Sequence, residues 1–280
     1  MSIKFYLVFF LLLSQLYGFA LLPSKYTSSE YKLSAQVKTQ VCKTFEAIDK
    51  FDKVELGNLV GTALVFDYDD KGNINKIREY TKEGALDLAY ILEYDTQGFL
   101  ESEKQYGQND QLIRYGLFTY KNGKKIEEKI YTSEGTYAYS EVYMYDTRGV
   151  LIEKRRKNAD DKIPLKYTYT YDENMRILQE IRKVGPDTHP GDAKKTFQYD
   201  SKNRIHTEIV YNAEGVIKKQ ITYQYDAQNN LIEETTIYPA KADEIMKYTY
   251  EYDTHGNWIK KVYYTNEYIP TLVQMRNLIY

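Results

Sequence analysis

The motif Tyr-Asp-x-x-Gly, as in Tyr94 to Gly98, recurs along most of this chain and constrains its fold more than any other feature. Successive copies are 25 to 28 residues apart. The eight copies begin at Tyr68, Tyr94, Tyr120, Tyr145, Tyr171, Tyr199, Tyr225 and Tyr252. Self-similarity at a fixed period indicates stacked supersecondary units rather than one irregular domain.

Each copy has the turn chemistry of a β-hairpin. Asp at the first position and Gly at the fourth are preferred in type I turns, because the Asp side chain accepts hydrogen bonds from the turn backbone and Gly tolerates positive φ. The third copy is one residue shorter and carries Asn122-Gly123, the strongest signal for a two-residue hairpin loop. The fifth copy has Met175 where Gly is expected, which predicts a distorted turn.

The residues on both sides of each turn alternate as in half-buried strands. An apolar or aromatic residue lies two positions before each tyrosine, and the residue between them is polar in seven of eight copies. These apolar positions are Phe66, Leu92, Phe118, Tyr143, Tyr169, Phe197, Tyr223 and Tyr250. Period-two alternation predicts strands, and a second tight turn closes each unit. We therefore predict an all-β fold, a repeat array of antiparallel β-hairpins in one twisted or curled sheet. The sequence leaves open whether that sheet closes.

The N-terminal segment predicts export. Residues 1–20 combine Lys4, an apolar run and small residues at Gly18 and Ala20, as in a signal peptide cleaved before Leu21. An uncleaved membrane anchor is the alternative, since Phe5 to Leu22 are mostly apolar. Residues 21–32 are predicted to be a polar tether, and residues 33–280 the repeat array with an N-terminal cap at 33–65. The predicted location is periplasmic or extracellular, including the cell surface.

Composition and motifs exclude several functions. The net charge is −2 with no basic block, which argues against nucleic acid as a partner. Cys42 is the single cysteine, so no internal disulfide framework exists, and it is interpreted as a small buried hydrophobe. Three histidines lack metal-ligand spacing. Neither a phosphate loop nor a hydrolase motif occurs, so no cofactor, metal or catalytic residue is predicted and the chain is interpreted as a non-enzyme.

These repeats resemble the YD repeats of bacterial RHS-type proteins, which also occur in teneurins. The resemblance covers roughly residues 60–265, and the C-terminal Gly256-Asn257-Trp258 is similar to the end of short secreted YD-repeat proteins. It implies an exported spiral or curved sheet of hairpins with carbohydrate or protein contacts. Large members form a shell around a C-terminal toxin. This chain has few repeats and no room for a toxin, so that role is not transferred.

Rows of tyrosine are the candidate ligand contacts. Aromatic stripes stack against sugar rings or receive a protein, but cross-strand aromatic pairs also stabilise a sheet by about 0.2–1 kcal/mol each. The structural interpretation is favoured because the rule applies at every repeat. The candidate binding residues are Tyr139, Tyr143, Tyr169, Tyr250 and Trp258.

The sequence thus predicts an exported, non-enzymatic binding or scaffold module that contacts carbohydrate or protein. A structural envelope protein assembling through its sheet edges is the alternative. An outer-membrane β-barrel is a third possibility, disfavoured because charges such as Arg155 and Arg156 fall on both faces of a strand. A lipid-facing Lys or Arg costs about 2–4 kcal/mol at the bilayer midplane.

Overall fold

The computed structural model describes residues 33, 36–51, 53–185, 191 and 193–280, and this part of the chain is almost entirely β-strand. The described residues contain one helix, a short 3-10 helix at Gln108–Asp110, and turns join the strands. The strands are β1 Thr39–Lys50, β2 Lys53–Leu59, β3 Ala63–Tyr68, β4 Ile74–Tyr80, β5 Leu86–Tyr94, β6 Leu100–Tyr106, β7 Leu112–Lys121, β8 Lys124–Thr132, β9 Tyr137–Tyr145, β10 Leu151–Asn158, β11 Leu165–Tyr171, β12 Ile177–Val184, β13 Ala193–Tyr199, β14 Ile205–Tyr211, β15 Ile217–Tyr225, β16 Leu231–Tyr238, β17 Lys241–Tyr252, β18 Trp258–Tyr264 and β19 Pro270–Ile279. The predicted signal peptide and tether lie outside the described residues.

The strands from β3 to β19 form one continuous antiparallel meander, in which each strand pairs with the next along the chain. Strand β1 pairs with both ends of this meander. Thr39 lies opposite Ile279 of β19 and also opposite Asp67 of β3. The sheet therefore closes into a barrel of 18 strands, and β2 pairs with β1 alone, outside the ring.

The antiparallel hairpin array is confirmed, and its closure into a barrel is more specific than the twisted or curled sheet that the sequence predicts. The segment 33–65, predicted to be a cap, contains the strand that joins the two ends of the meander. A closed sheet satisfies the backbone hydrogen bonds of its terminal strands, which an open array would leave as two edges. Among the described strands, only the outer edge of β2 is unpaired. None of the described residues forms a helix that is long and apolar enough to span a membrane.

The repeated aspartate forms each turn as the sequence predicts. Its side chain accepts hydrogen bonds from two backbone N–H groups of the turn, at 2.9 Å from Gln97 and 2.8 Å from Phe99 in the case of Asp95. The N–H of Gly98 donates to the carbonyl oxygen of Asp95 at 3.0 Å. The same side-chain bonds recur at Asp69, Asp146, Asp172, Asp200 and Asp253. These backbone bonds hold the pKa of the Asp146 carboxyl below its ordinary value.

In five units the repeated tyrosine joins its hairpin to the one before it. Its hydroxyl donates a hydrogen bond to a backbone carbonyl at the start of the return strand of the preceding unit, as from Tyr94 to Ile74 at 2.8 Å. The equivalent bonds run from Tyr145 to Lys125, Tyr171 to Leu151, Tyr199 to Ile177 and Tyr225 to Ile205, at 2.5 to 2.9 Å. In the last unit Tyr250 takes this role, bonding Leu231 at 2.7 Å. The tyrosine thus stabilises the stacking of neighbouring repeats.

The short third turn has the backbone that its sequence predicts. Asn122 and Gly123 both have positive φ, 52° and 73°, as a two-residue hairpin loop requires. The fifth turn lacks the predicted distortion, because the N–H of Met175 donates to the carbonyl oxygen of Asp172 at 3.1 Å as in the regular turns. Met175 occupies the position of the turn glycine with φ of 61°, a conformation that is unfavourable for a residue with a side chain. Strain therefore resides in the fifth turn.

We expect Gly98→Val to lower the free energy of unfolding by about 1–3 kcal/mol, because φ is 86° at this residue. A Cβ at Gly98 would meet no heavy atom within 4 Å, so the cost is conformational rather than steric. Met175→Gly is the matched reverse change and should be neutral or stabilising. Urea unfolding midpoints measure both, and equal, negligible effects would show that the turn register is wrong.

Candidate binding site on the inner wall of the barrel

Side chains on the two faces of the barrel wall differ in their exposure to solvent. On one face the long carboxylate side chains of Glu103 and Glu128 are only 1% and 2% exposed. On the opposite face Leu117 and Met144 are 43% and 41% exposed. Side chains converge on the concave side of a closed sheet and diverge on its convex side. The face that carries Glu103 and Glu128 is therefore the inner wall.

The outer face is densely charged. Ion pairs link neighbouring strands across it, as between Arg78 and Asp67 at 2.5 Å and between Lys104 and Glu93 at 2.9 Å. Further charged residues of this face are Lys76, Glu127, Lys129, Glu153, Arg155, Lys166, Glu233, Lys247, Glu251 and Lys260. Such a surface suits water, since exposed charges of both signs are normal on soluble domains.

The inner wall repeats one cross-strand pair in all eight units. The apolar or aromatic residue before each turn lies directly opposite the residue nine positions after the tyrosine, or eight in the short third unit. The pairs are Phe66–Ile77, Leu92–Glu103, Phe118–Glu128, Tyr143–Lys154, Tyr169–Glu180, Phe197–Glu208, Tyr223–Glu234 and Tyr250–Lys261. In seven of the eight units, an apolar or aromatic side chain therefore lies beside a charged one on the interior wall.

The charged half of these pairs was missed by the sequence analysis. Five of the eight opposing residues are Glu and two are Lys. A charged residue also adjoins five of these seven positions in the chain, so alternation does not mark this column as inward. Aligning the eight repeats would have revealed this column, because Glu recurs at a fixed distance from the tyrosine.

The five predicted binding residues fall into two groups on opposite sides of the barrel. Tyr139 and Tyr143 lie on β9, and Tyr169 lies two strands away on β11, all facing inward. Tyr250 and Trp258 lie on β17 and β18 with their ring centroids 6.1 Å apart. Strands β9 and β17 are eight positions apart in the ring of 18, so the two groups do not form one site.

The first group belongs to a network of buried charges. The Tyr143 hydroxyl lies 3.2 Å from carboxylate oxygens of both Glu128 and Glu141, and it donates its proton to this pair. Lys125 forms an ion pair with Glu128 at 2.8 Å, and its ammonium lies 4.4 Å from the centroid of the Tyr143 ring. Burial raises the pKa of Tyr143, and the two carboxylates raise it further. This hydroxyl therefore stays protonated.

Glu103 is the buried acid that this network leaves unsatisfied. Its Oε2 atom is shielded from solvent and has no hydrogen-bond partner among the described residues. Burial raises the pKa of Glu103 to about 8, with Glu128 adding to the shift and Arg114 and Lys125 opposing it. The carboxyl group is consequently protonated at neutral pH and can donate a hydrogen bond.

A recess of about 330 Å³ lies further around the inner wall, between β11 and β15. Tyr167, Glu180, Arg182 and Lys195 contribute an aromatic ring and three charged groups to it. The other lining residues are Ala193, Val210, Tyr211, Asn212 and Lys218. Ligand sites combine apolar walls with a few polar groups that fix orientation, and this recess has both.

Neither a reactive thiol nor a metal centre is present in the described part of the chain. Cys42 lies on β1, and the Gln40 amide donates to its Sγ atom at 2.9 Å. Burial raises the pKa of the thiol, although Gln40 and Arg276 oppose the shift. A protonated, half-buried cysteine is structural rather than nucleophilic. None of the described His, Cys, Asp and Glu side chains forms a group of three or more that could hold a metal ion.

The fold and its inner wall define a closed, repeat-built β-barrel with an interior lined by aromatic and charged groups. No family model and no curated protein matches the sequence. Among solved structures, a porin-like protein from Bacteroides uniformis is 14% identical with a TM-score of 0.45, covering 92% of this chain and 100% of that chain. A porin-like protein from Bacteroides vulgatus is 11% identical with a TM-score of 0.39, covering 86% and 97%. The TcdB2-TccC3-Cdc42 structure is 14% identical with a TM-score of 0.34, covering 82% of this chain and 15% of that chain. These likenesses assign neither family nor function.

Proposed function

We propose that this chain is an exported, non-enzymatic binding module whose inner wall recognises a saccharide. The observation that carries the proposal is the pairing of an apolar or aromatic side chain with a charged one in seven of eight repeats. Flat rings pack against the C–H face of a sugar, and carboxylate or ammonium groups bond its hydroxyl groups. A closed sheet holds these groups in fixed positions before the ligand arrives.

The recess beside Tyr167 is the part of the wall that best matches a sugar ring. Its volume of about 330 Å³ falls within the range of small-molecule sites. Tyr167 offers one ring face for stacking, and Glu180 offers carboxylate oxygens that accept hydrogen bonds from hydroxyl groups.

A saccharide screen on the full chain tests the proposal. We expect Tyr167→Ala to weaken binding of the saccharides that the unmodified protein retains. Tyr131→Ala is the matched control, because Tyr131 lies on the outer face, where its ring stacks on Tyr115 at a centroid distance of 5.1 Å. Absence of saccharide binding, or equal loss in both variants, would overturn the proposal.

An outer-membrane pore is the second candidate, and closure of the sheet is the observation that favours it. Two features oppose it. The outer face carries ion pairs where a membrane barrel carries an apolar band about 25 Å tall. Strands such as β4, β6, β11 and β18 have seven residues, whereas spanning strands need about 9–11. Ion conductance in planar bilayers would support the pore and contradict a water-soluble barrel.

An envelope protein that assembles through sheet edges has little support from this fold. Closure pairs β1 with β19 and β3, and in the described part of the chain it leaves only the seven-residue β2 with an unpaired edge. We retain the proposals of export, from the N-terminal sequence, and of kinship with YD-repeat proteins. The tyrosine that links hairpins to their predecessors supports that kinship.

A further inference from the structure

Lys261 stands out among the inner-wall residues of the repeat. It lies on β18 directly opposite Tyr250, at the position where five other units carry Glu. Its ammonium group lies 4.1 Å from the ring centroid of Tyr248, 4.6 Å from that of Tyr263 and 5.6 Å from that of Tyr250. Three aromatic rings thus surround one cation.

Lys261 differs from Lys125 and Lys195 of the inner wall because no carboxylate of the described residues is in contact with it. Lys125 pairs with Glu128 at 2.8 Å, and Lys195 pairs with Glu208 at 2.9 Å. The structure describes neither an ion pair nor a hydrogen bond for Lys261. The Lys125 and Lys195 ion pairs show that an inner-wall lysine can have a carboxylate partner in this fold. Lys261 has none in the described part of the chain.

The surroundings of Lys261 favour an anion. Burial lowers the pKa of its ammonium to about 8, and Arg276 lowers it further, whereas Glu234 opposes the shift. Glu234 is the carboxylate that acts on Lys261 electrostatically, without forming an ion pair. The Arg276 guanidinium is centred 3.7 Å from the Trp258 ring. Two cations on one aromatic wall would both gain from a negative charge between them.

We propose that Lys261 and Arg276 bind the anionic group of a carboxylated or sulfated saccharide, whose ring packs against Tyr248, Tyr250 and Tyr263. The inference rests on the proposed function and narrows it to acidic sugars at this site. A charge-assisted hydrogen bond from Lys261 holds the carboxylate or sulfate group, and the tyrosine rings hold the sugar. Attraction to the pair of cations distinguishes such a ligand from a neutral sugar.

The test compares three probes on the full chain by calorimetric titration: D-glucuronate, D-glucose as its neutral analogue and sodium sulfate as a free anion. We expect glucuronate to bind more tightly than glucose, and Lys261→Met to weaken it by at least about tenfold. Lys247→Met is the matched control, because Lys247 also lies over a tyrosine ring, that of Tyr268 at 3.9 Å, but on the outer face. This variant should bind glucuronate as the unmodified protein does.

Thermal unfolding without probe separates a binding role from a structural one. Removing a buried, unpaired charge should leave the melting temperature of Lys261→Met unchanged or higher. A lower melting temperature would assign Lys261 to stability and overturn the proposal, as would glucuronate binding that is absent or independent of Lys261. If Lys261→Met weakens the binding of sulfate and of glucuronate equally, the anion site is supported, but a free anion binds it without a sugar ring. Neutral saccharides that still bind at Tyr167 would preserve the proposed function even if the Lys261 site failed.

Discussion

Replacing Glu103 by Gln is expected to stabilise the folded protein at alkaline pH by on the order of 4 kcal/mol relative to its effect near pH 5. Burial raises the pKa of Glu103 to about 8 in the folded chain, and the neighbouring Glu128 adds to this shift. The unfolded chain binds this proton with an ordinary glutamate pKa. Between these two values the folded state holds a proton that the unfolded state has lost, so stability falls as pH rises toward 8.

Glutamine reproduces the shape of the protonated carboxyl group and cannot ionise. The unmodified protein and the variant should therefore be nearly equally stable near pH 5, and their stabilities should diverge up to about pH 8 and then run parallel. Urea titrations across this range measure the difference. A gap between the two proteins that stays constant with pH would show that Glu103 titrates normally and is not the unsatisfied buried acid described above.

Removing residues 33–60 is expected to abolish the monomeric barrel. The deletion takes away β1, which pairs with β19 from Thr39 opposite Ile279 to Glu46 opposite Leu272, and with β3 from Thr39 to Cys42. It exposes the edges of β3 and β19, and unpaired edges are templates for association with other chains. We expect concentration-dependent oligomers in sedimentation experiments and a broad, low-temperature melt by circular dichroism.

The matched control removes as many strands without opening the ring. Deleting residues 99–124 joins Gly98 to Lys125 and eliminates β6 and β7, yet it leaves β1, β3 and β19 free to pair. A ring of 16 strands should form, and the protein should remain monomeric with a sharp melt. If the internal deletion aggregates and the 33–60 deletion does not, β1 is not the strand that closes the barrel.

The hairpins were predictable because each depends on residues close together in the chain. Asp95 bonds to backbone groups two and four residues on, and Gly98 adopts the positive φ that a turn demands. The predicted distortion of the fifth turn was wrong, because Met175 adopts the positive φ of the glycine that it replaces. Tyrosine alternation placed the candidate residues on one face, since side chains two apart along a strand share a face.

Local rules could not predict that the sheet closes into a barrel or which residues line its inner wall. The pairing of Cys42 with Arg276 joins residues 234 positions apart, and nothing in a repeating hairpin specifies where an array ends or what its terminal strands meet. Alternation of apolar and polar residues along a strand defines two faces, but it does not show which face becomes concave. Consequently Glu103 and Lys261 were indistinguishable from surface charges until closure covered them.

The measurement that tests the closed barrel most directly is disulfide formation in the variant Arg276→Cys. Cys42 is the single native cysteine and lies opposite position 276 across β1 and β19. Directly opposed residues on antiparallel strands have Cα atoms about 4.5–5.5 Å apart, within the range that a disulfide spans. Asn277→Cys is the control, because its side chain points to the opposite face. Leu64→Cys, opposite Cys42 on β3, tests the other side of the seam.

The closed barrel predicts that mild oxidation converts Arg276→Cys and Leu64→Cys into monomers with one internal disulfide. Asn277→Cys should retain free thiols under the same conditions. Mass spectrometry of non-reduced peptides identifies the bond. An internal disulfide in Leu64→Cys but only free thiols or linked dimers in Arg276→Cys would mean that the sheet is open at β19, and the barrel would be wrong.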